Sequence, residues 1–221
     1  MKKNILTLTL LAFIGFTSSC KEEAKAEDVS TSEVTPVIEE TTSLTIDTTS
    51  SSIVWVGSKP TGKHTGTIAI KEGIFEIANG KVTGGSFTID MTSINVTDLT
   101  EETGKKDLET HLKGTGDKAS EDHFFNTTKF PTSNFKITSV TEANGAYVVN
   151  GVLTIKETSK EINFPAEILV TETDISLNSE PFKINRTLWG VNYASKSIFD
   201  DLKDKFVDDE IELTVKVKAS K

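Results

Sequence analysis

The chain has 221 residues, 33 acidic against 24 basic, and a formal net charge of −9. So acidic a protein is not built to hold DNA or RNA, which requires clustered cationic charge. Its one cysteine cannot close a disulfide within the chain, so the fold must rest on its core.

Lys2 and Lys3 form a positive start, and an apolar run from Ile5 to Phe16 follows. That run is shorter than the ~20 residues that span a bilayer. Residues 1–19 therefore read as a secretory signal peptide rather than an anchor helix. Ser18 and Ser19 directly before Cys20 resemble a lipoprotein signal box, with Thr17 where leucine is usual. The resemblance implies cleavage before Cys20 and acylation of it; the alternative is an ordinary cleavage site beside a cysteine. Residues 20–43 then form a lipidated cysteine and a tether. Between 21 and 43 there are seven acidic residues, two lysines, a proline and many Ser and Thr, a composition that cannot bury a core. Lys21-Glu22-Glu23 also resembles a surface-export signal of bacterial lipoproteins. The expected location is the outer membrane, on its periplasmic or cell-surface face. Removing Lys2 and Lys3 takes the net charge from −9 to −11.

Residues 44–221 suffice for one well-buried domain. Period-two alternation dominates it. "SSIVWVG" points Ile53 and Trp55 to one side and Val54 and Val56 to the other. "GSFTIDM" alternates Phe87, Ile89 and Met91 with polar residues, and "SNFKITSV" carries Phe135 and Ile137. "YVVNGVLTI" holds Tyr147, Val149, Gly151, Leu153 and Ile155 on one face. "INFPAEILV" and "EIELTVKVKA" repeat the pattern. One apolar and one wet face is the signature of antiparallel sheet. Turn signals fall at Asn79-Gly80, Asn144-Gly145 and around Thr158-Ser159, the first two supplying the positive φ of tight hairpins. About eight strands result. A barrel would remove their edges, although strand count alone leaves a sandwich open.

Residues 97–128 break the alternation. "DLTEETGKKDLETHLKG" predicts a helix, with Leu108 and Leu112 four apart and Asp98 with Glu101 as a capping box. A further helical turn is expected from Ser120, aiming Phe124 and Phe125 inward across a barrel end. "SIFDDLKDKF" predicts a second short helix with Phe199, Leu202 and Phe206 on one face.

The stretches "VWVGSKPTGKHTGTIAIKEG", "GSFTIDMTSI", "HLKG…DHFFNTTKFPTSNFKI", "GVLTIKETSKEINFPA", "FKINRTLWGVNY" and "DEIELTVKVKA" follow in order the pattern of the YceI-like family. The resemblance covers about residues 44–220. It implies an all-β, lipocalin-like antiparallel barrel of about eight strands with one or two short helices, binding polyisoprenoid lipid without catalysis. Between Lys113 and Phe124 this chain carries "GTGDKASEDH", where the family has only a few residues, so ligand access and identity are the features this insertion touches.

An eight-stranded barrel can hold one elongated apolar ligand, a bound polyisoprenoid or isoprenoid-quinone-like lipid. Candidate walls are Trp55, Phe87, Phe135, Tyr147, Phe164 and Phe182, with Phe124 and Phe125 from the excursion; the same aromatics would also serve as plain core. His64 and His111 could donate to a headgroup or quinone oxygen at the mouth, or be structural. Neither they nor His123, Asp117 and Glu121 have metal-site spacing. There is no Gly-x-Ser-x-Gly elbow and no glycine-rich loop before a helix, so no enzyme is read here. Arg186 is the only arginine among 24 basic residues, and it stands beside Trp189 and Tyr193. One reading stacks its guanidinium on a tryptophan and donates to backbone carbonyls to close the barrel; the other aims it at a ligand pyrophosphate or carbonyl. Two functions stand. One is an apolar-lipid carrier or store held to the membrane through Cys20. The other is an interaction scaffold with a filled barrel, presenting the insertion. A homodimer is left open.

Overall fold

A computed structural model describes residues 41–143 and 146–220. Its strands are β1 (Thr42–Thr45), β2 (Ser52–Lys59), β3 (Gly62–Ala78), β4 (Lys81–Val96), β5 (Thr132–Ala143), β6 (Ala146–Ile155), β7 (Thr158–Val170), β8 (Asp174–Ser179), β9 (Phe182–Asn185) and β10 (Glu210–Ser220). Among the described residues a single α-helix, α1 (Lys105–Lys113), interrupts them. β1 begins inside the segment read from sequence as tether, and the expected acylation site lies outside the described residues.

Each strand pairs antiparallel with its neighbours in the order β3, β2, β10, β8, β7, β6, β5, β4, and β4 pairs back onto β3. The sheet thus closes as an eight-stranded barrel. β1 extends the row of β2 along the far half of β3, and β9 extends the row of β8 along β10, so ten strands occupy eight positions. Closure leaves no continuous edge to template aggregation. The alternating apolar residues turn inward as expected: Ile53 and Trp55, Phe87, Ile89 and Met91, Val149, Leu153 and Ile155, Phe164 and Ala166 are all buried. β3 and β4 are long and slip register at three places. These bulges bend the two strands around the barrel and break the period-two pattern of β3.

Asn79 (φ 54°) and Gly80 (φ 72°) make the β3–β4 hairpin, the left-handed pair that suits a twisted ribbon. Asn144-Gly145 falls outside the described residues. The β6–β7 turn corrects the sequence reading. It sits at Lys156 (φ 53°) and Glu157, while Thr158 and Ser159 already pair with Ile155 and Thr154.

The helical expectations are corrected in three places. The box that starts the excursion is Thr100 with Thr103, capping a 3-10 turn at Glu101–Thr103, and α1 follows from Lys105. Asp98 is taken instead by His64 and the Thr65 amide. The segment from Ser120 is a run of turns, with Phe124 and Asn126 both at φ 45°. "SIFDDLKDKF" keeps only a 3-10 turn at Lys203–Lys205. Asp201 (φ 62°) and Lys203 (φ 49°) are left-handed, and Phe199 is 47% exposed, so no buried face forms to hold a helix.

Candidate ligand-binding site

One end of the barrel carries nearly all of the irregular chain. Here lie the β2–β3 turn, the 97–131 excursion, the β6–β7 turn and the 186–209 segment. The register places them together: Ile211 of β10 faces Gly57, Gly57 faces His64, and the Asp208 amide donates to the Ser58 carbonyl. The excursion is seated by Lys156, whose ammonium meets Asp122 at 2.9 Å. The Asn126 amide holds the same carboxylate oxygen. Phe125 and Thr127 donate main-chain bonds to Leu112 and Lys113.

Beneath this cover is an apolar chamber of about 120 Å³. Ile89, Met91, Leu153, Ile155 and Leu213 form much of its barrel wall; Leu112, Phe124 and Phe125 reach in from the excursion. A second apolar chamber of about 60 Å³ lies further along the barrel, among Phe87, Phe135, Phe164 and Phe182. Ile53, Ile89, Leu153 and Leu213 border both. The rings of the lower chamber form a ladder with centroid separations of 6.5 Å (Phe87–Phe135), 5.7 Å (Phe135–Phe164) and 4.5 Å (Phe164–Phe182). Gly151 permits it, because a Cβ there would lie 2.4 Å from the Phe135 ring.

Above the upper chamber is a wider mouth of about 430 Å³ and mixed lining, where His64, His111, Tyr193 and Lys205 stand among apolar side chains. Trp55, Leu112, Phe124 and Val207 border both mouth and chamber, so they stand where a ligand would pass. His64 Nδ1 lies 2.9 Å from Asp98 Oδ2. Partial burial works against the Asp98 carboxylate, but the Thr65 amide and His64 outweigh it and hold its pKa below the usual range. His111 Nδ1 lies 2.8 Å from His123 Nε2. Tyr193 packs edge-on against both rings at 4.6 and 4.8 Å. Burial, then the charge of His123, pushes the His111 pKa down. Among the described residues no three His, Cys, Asp or Glu side chains converge as metal ligands.

Arg186 is 1% exposed. Its Nε donates to the Asp208 carbonyl at 3.0 Å, Nη2 to Val207 at 2.9 Å, and Nη1 to Val191. Asp209 Oδ1 stands 3.7 Å away. Burial pushes the guanidinium below its ordinary pKa, with Asp209 and Asp208 opposing. The ring beneath it is Phe124, at 5.7 Å, rather than a tryptophan. Trp189 is buried, lines neither chamber and donates its indole N–H to the Leu153 carbonyl at 3.0 Å.

Most of the aromatic candidates therefore gather along one axis: Trp55, Phe124 and Phe125 above, Phe87, Phe135, Phe164 and Phe182 below. His64 and His111 line the mouth. Tyr147 is half buried opposite Ala166 and walls neither chamber. Sequence reasoning passed over Ser133, which is 2% exposed and lines the upper chamber. Its signal was present: a polar residue two before Phe135, at an apolar position of the alternation.

Among solved structures, BcnA of Burkholderia cenocepacia is similar, with a TM-score of 0.56 and 19% identity over 79% of this chain and 99% of that one. A polyisoprenoid binding domain from Saccharophagus degradans, implicated in plant cell wall breakdown, gives 0.55 and 13% over 80% and 97%. At such identities the likeness concerns the fold. No curated protein matches the sequence. The YceI-like domain matches residues 44–219, nearly all of the barrel, and the chain belongs to the YceI-like family.

Proposed function

We propose that this protein binds an apolar, isoprenoid-type lipid inside the barrel, without catalysis, and stores or carries it while held at the membrane by an acylated Cys20. The observation that carries the reading is the order of a mixed-lined mouth, an aromatic threshold and two apolar chambers, each sharing wall residues with the next. Burying an isoprenoid chain there gains roughly 25 cal/mol per Å² of apolar surface and asks for no reactive group. The polyisoprenoid binding domain of Saccharophagus degradans, which shares the fold, supports the same ligand class.

The chambers are small beside the ~300–1,000 Å³ of a drug-sized site. A long chain must therefore displace the side chains at the threshold, among them Leu112 of α1 and Phe124 of the irregular turns that follow it. Native mass spectrometry of the purified protein should reveal a co-purifying lipid, and Cys20→Ala should release the protein from membranes. Lipid-free protein that also refuses isoprenoid lipids in titration would leave the alternative, a filled scaffold whose Phe ladder is simply core. An unchanged membrane fraction for Cys20→Ala would remove the anchor.

A further inference from the structure

Two polar atoms buried around the upper chamber find no hydrogen-bond partner among the described residues: the Ser133 hydroxyl and the Trp55 indole N–H. Both residues line that chamber, and they are 2% and 7% exposed. An unpaired donor in an apolar setting is unfavourable by about as much as a lost hydrogen bond, so native proteins seldom tolerate one.

The surroundings sharpen the contrast. Trp189, 2% exposed, has its indole N–H satisfied by the Leu153 carbonyl. Arg186 also borders the chamber, but three backbone carbonyls take its nitrogens. Ser133 lies on the inward parity of β5 with Phe135 and Ile137, and its cross-strand partner is Ile89. An alanine there would satisfy packing with no buried hydroxyl. Trp55 is likewise given special room, since a Cβ at Gly66 would lie 2.5 Å from the indole.

We propose that Ser133 and Trp55 are hydrogen-bonding anchors for a neutral oxygen of the ligand, so that the polar end of the lipid enters the barrel instead of stopping at the histidines of the mouth. The inference rests on the lipid-binding reading and narrows it to oxygenated, uncharged isoprenoids: alcohols or carbonyl compounds. An indole N–H can only donate, and a serine hydroxyl can donate or accept, so together they suit an oxygen acceptor. A diphosphate is disfavoured at this position. It would need a paired cation, and the one guanidinium that lines the chamber already gives three of its five N–H donors to backbone carbonyls and has Asp209 3.7 Å away as its counter-charge. A pure hydrocarbon would leave both atoms unpaired.

The test compares three probes of equal chain length by competition in native mass spectrometry and by calorimetry: farnesol, its saturated hydrocarbon counterpart, and farnesyl diphosphate. Wild type should take the alcohol in preference to the hydrocarbon by about tenfold or more, and to the diphosphate by at least as much. Ser133→Ala should reduce the alcohol-to-hydrocarbon preference about three- to tenfold while leaving hydrocarbon binding unchanged or tighter. It should not lower the melting point of the ligand-free protein, because the hydroxyl lacks a protein partner. Trp55→Phe should reduce the same preference. An alcohol preference unaltered in both variants, equal binding of alcohol and hydrocarbon to wild type, or a preference for the diphosphate would each overturn the anchor while leaving lipid binding intact. If wild type binds none of the three, both readings fall.

Discussion

The two ends of the barrel interior are built on different principles. The lower chamber is enclosed by strand residues alone, and fourteen apolar side chains wall it. The upper chamber is capped by segments distant in sequence, and polar groups with specific partners hold that cap: Arg186 on three carbonyls, Lys156 on Asp122, and the His111–His123 pair. Hydrocarbon packing tolerates no gaps but accepts any partner of the right volume. Polar closure is specific, and it can open when one group changes charge. The lower end thus reads as the stable floor of the barrel, and the upper end as the part through which a ligand must come.

The sharpest way to break this comparison is to excavate the floor. Phe164 is buried, stacked on Phe182 and tilted against Phe135. Phe164→Ala should destabilise the ligand-free protein by about 4 kcal/mol, read from urea unfolding. A loss below about 1 kcal/mol would show that the ladder is loose lining rather than core.

Arg186→Lys should come next, at about 3 kcal/mol in melts of delipidated protein, because an ammonium lacks the fork that reaches three carbonyls. Wild-type stability in this variant would assign Arg186 to the ligand instead. Gly151→Ala should cost about 2 kcal/mol by driving a methyl into the Phe135 ring. Its effect should be confined to the floor, with hydrogen exchange at α1 unaltered; accelerated exchange at α1 would mean the two ends are coupled.

The smallest effect concerns pH. The folded-state pKa of His111 is depressed below 6.5 by burial and by His123. The unfolded chain therefore binds that proton more readily. The stability this contact contributes is complete above about pH 6.5 and is lost as pH falls from there through the depressed value. Amide exchange across 111–126 should rise over that window while β6 and β7 beside the floor stay protected, and His111→Leu, which removes the titrating ring itself, should flatten the response. Equal acid sensitivity at both ends would erase the distinction. The Asp98 carboxylate, also held low, gives way only at more acidic pH.

How far the sequence could be read follows the same division. The strands of the floor were legible because sheet burial has period two, and Phe87, Phe135 and Phe164 each sit in an unbroken alternation. β3 was not legible as a strand by itself, since its bulges shift the parity. The second helix failed because amphipathic spacing forms a helix only against a surface that buries it, and Phe199 finds none. Arg186 could be singled out by its uniqueness, with closure and ligand contact both open, but its ring partner could not, since Phe124 lies far away in the chain.

By itself, then, the sequence determined the antiparallel class, the inward residues of the regular strands and the family, because these depend on local periodicity and on ordered motifs. Only the tertiary structure decided that Gly151 makes room for Phe135, that His111 meets His123, and that Ser133 and Trp55 face an apolar chamber unpaired. Each of those facts is a contact or a missing contact between distant residues. Such contacts are set by barrel closure and register, which no single stretch of chain contains.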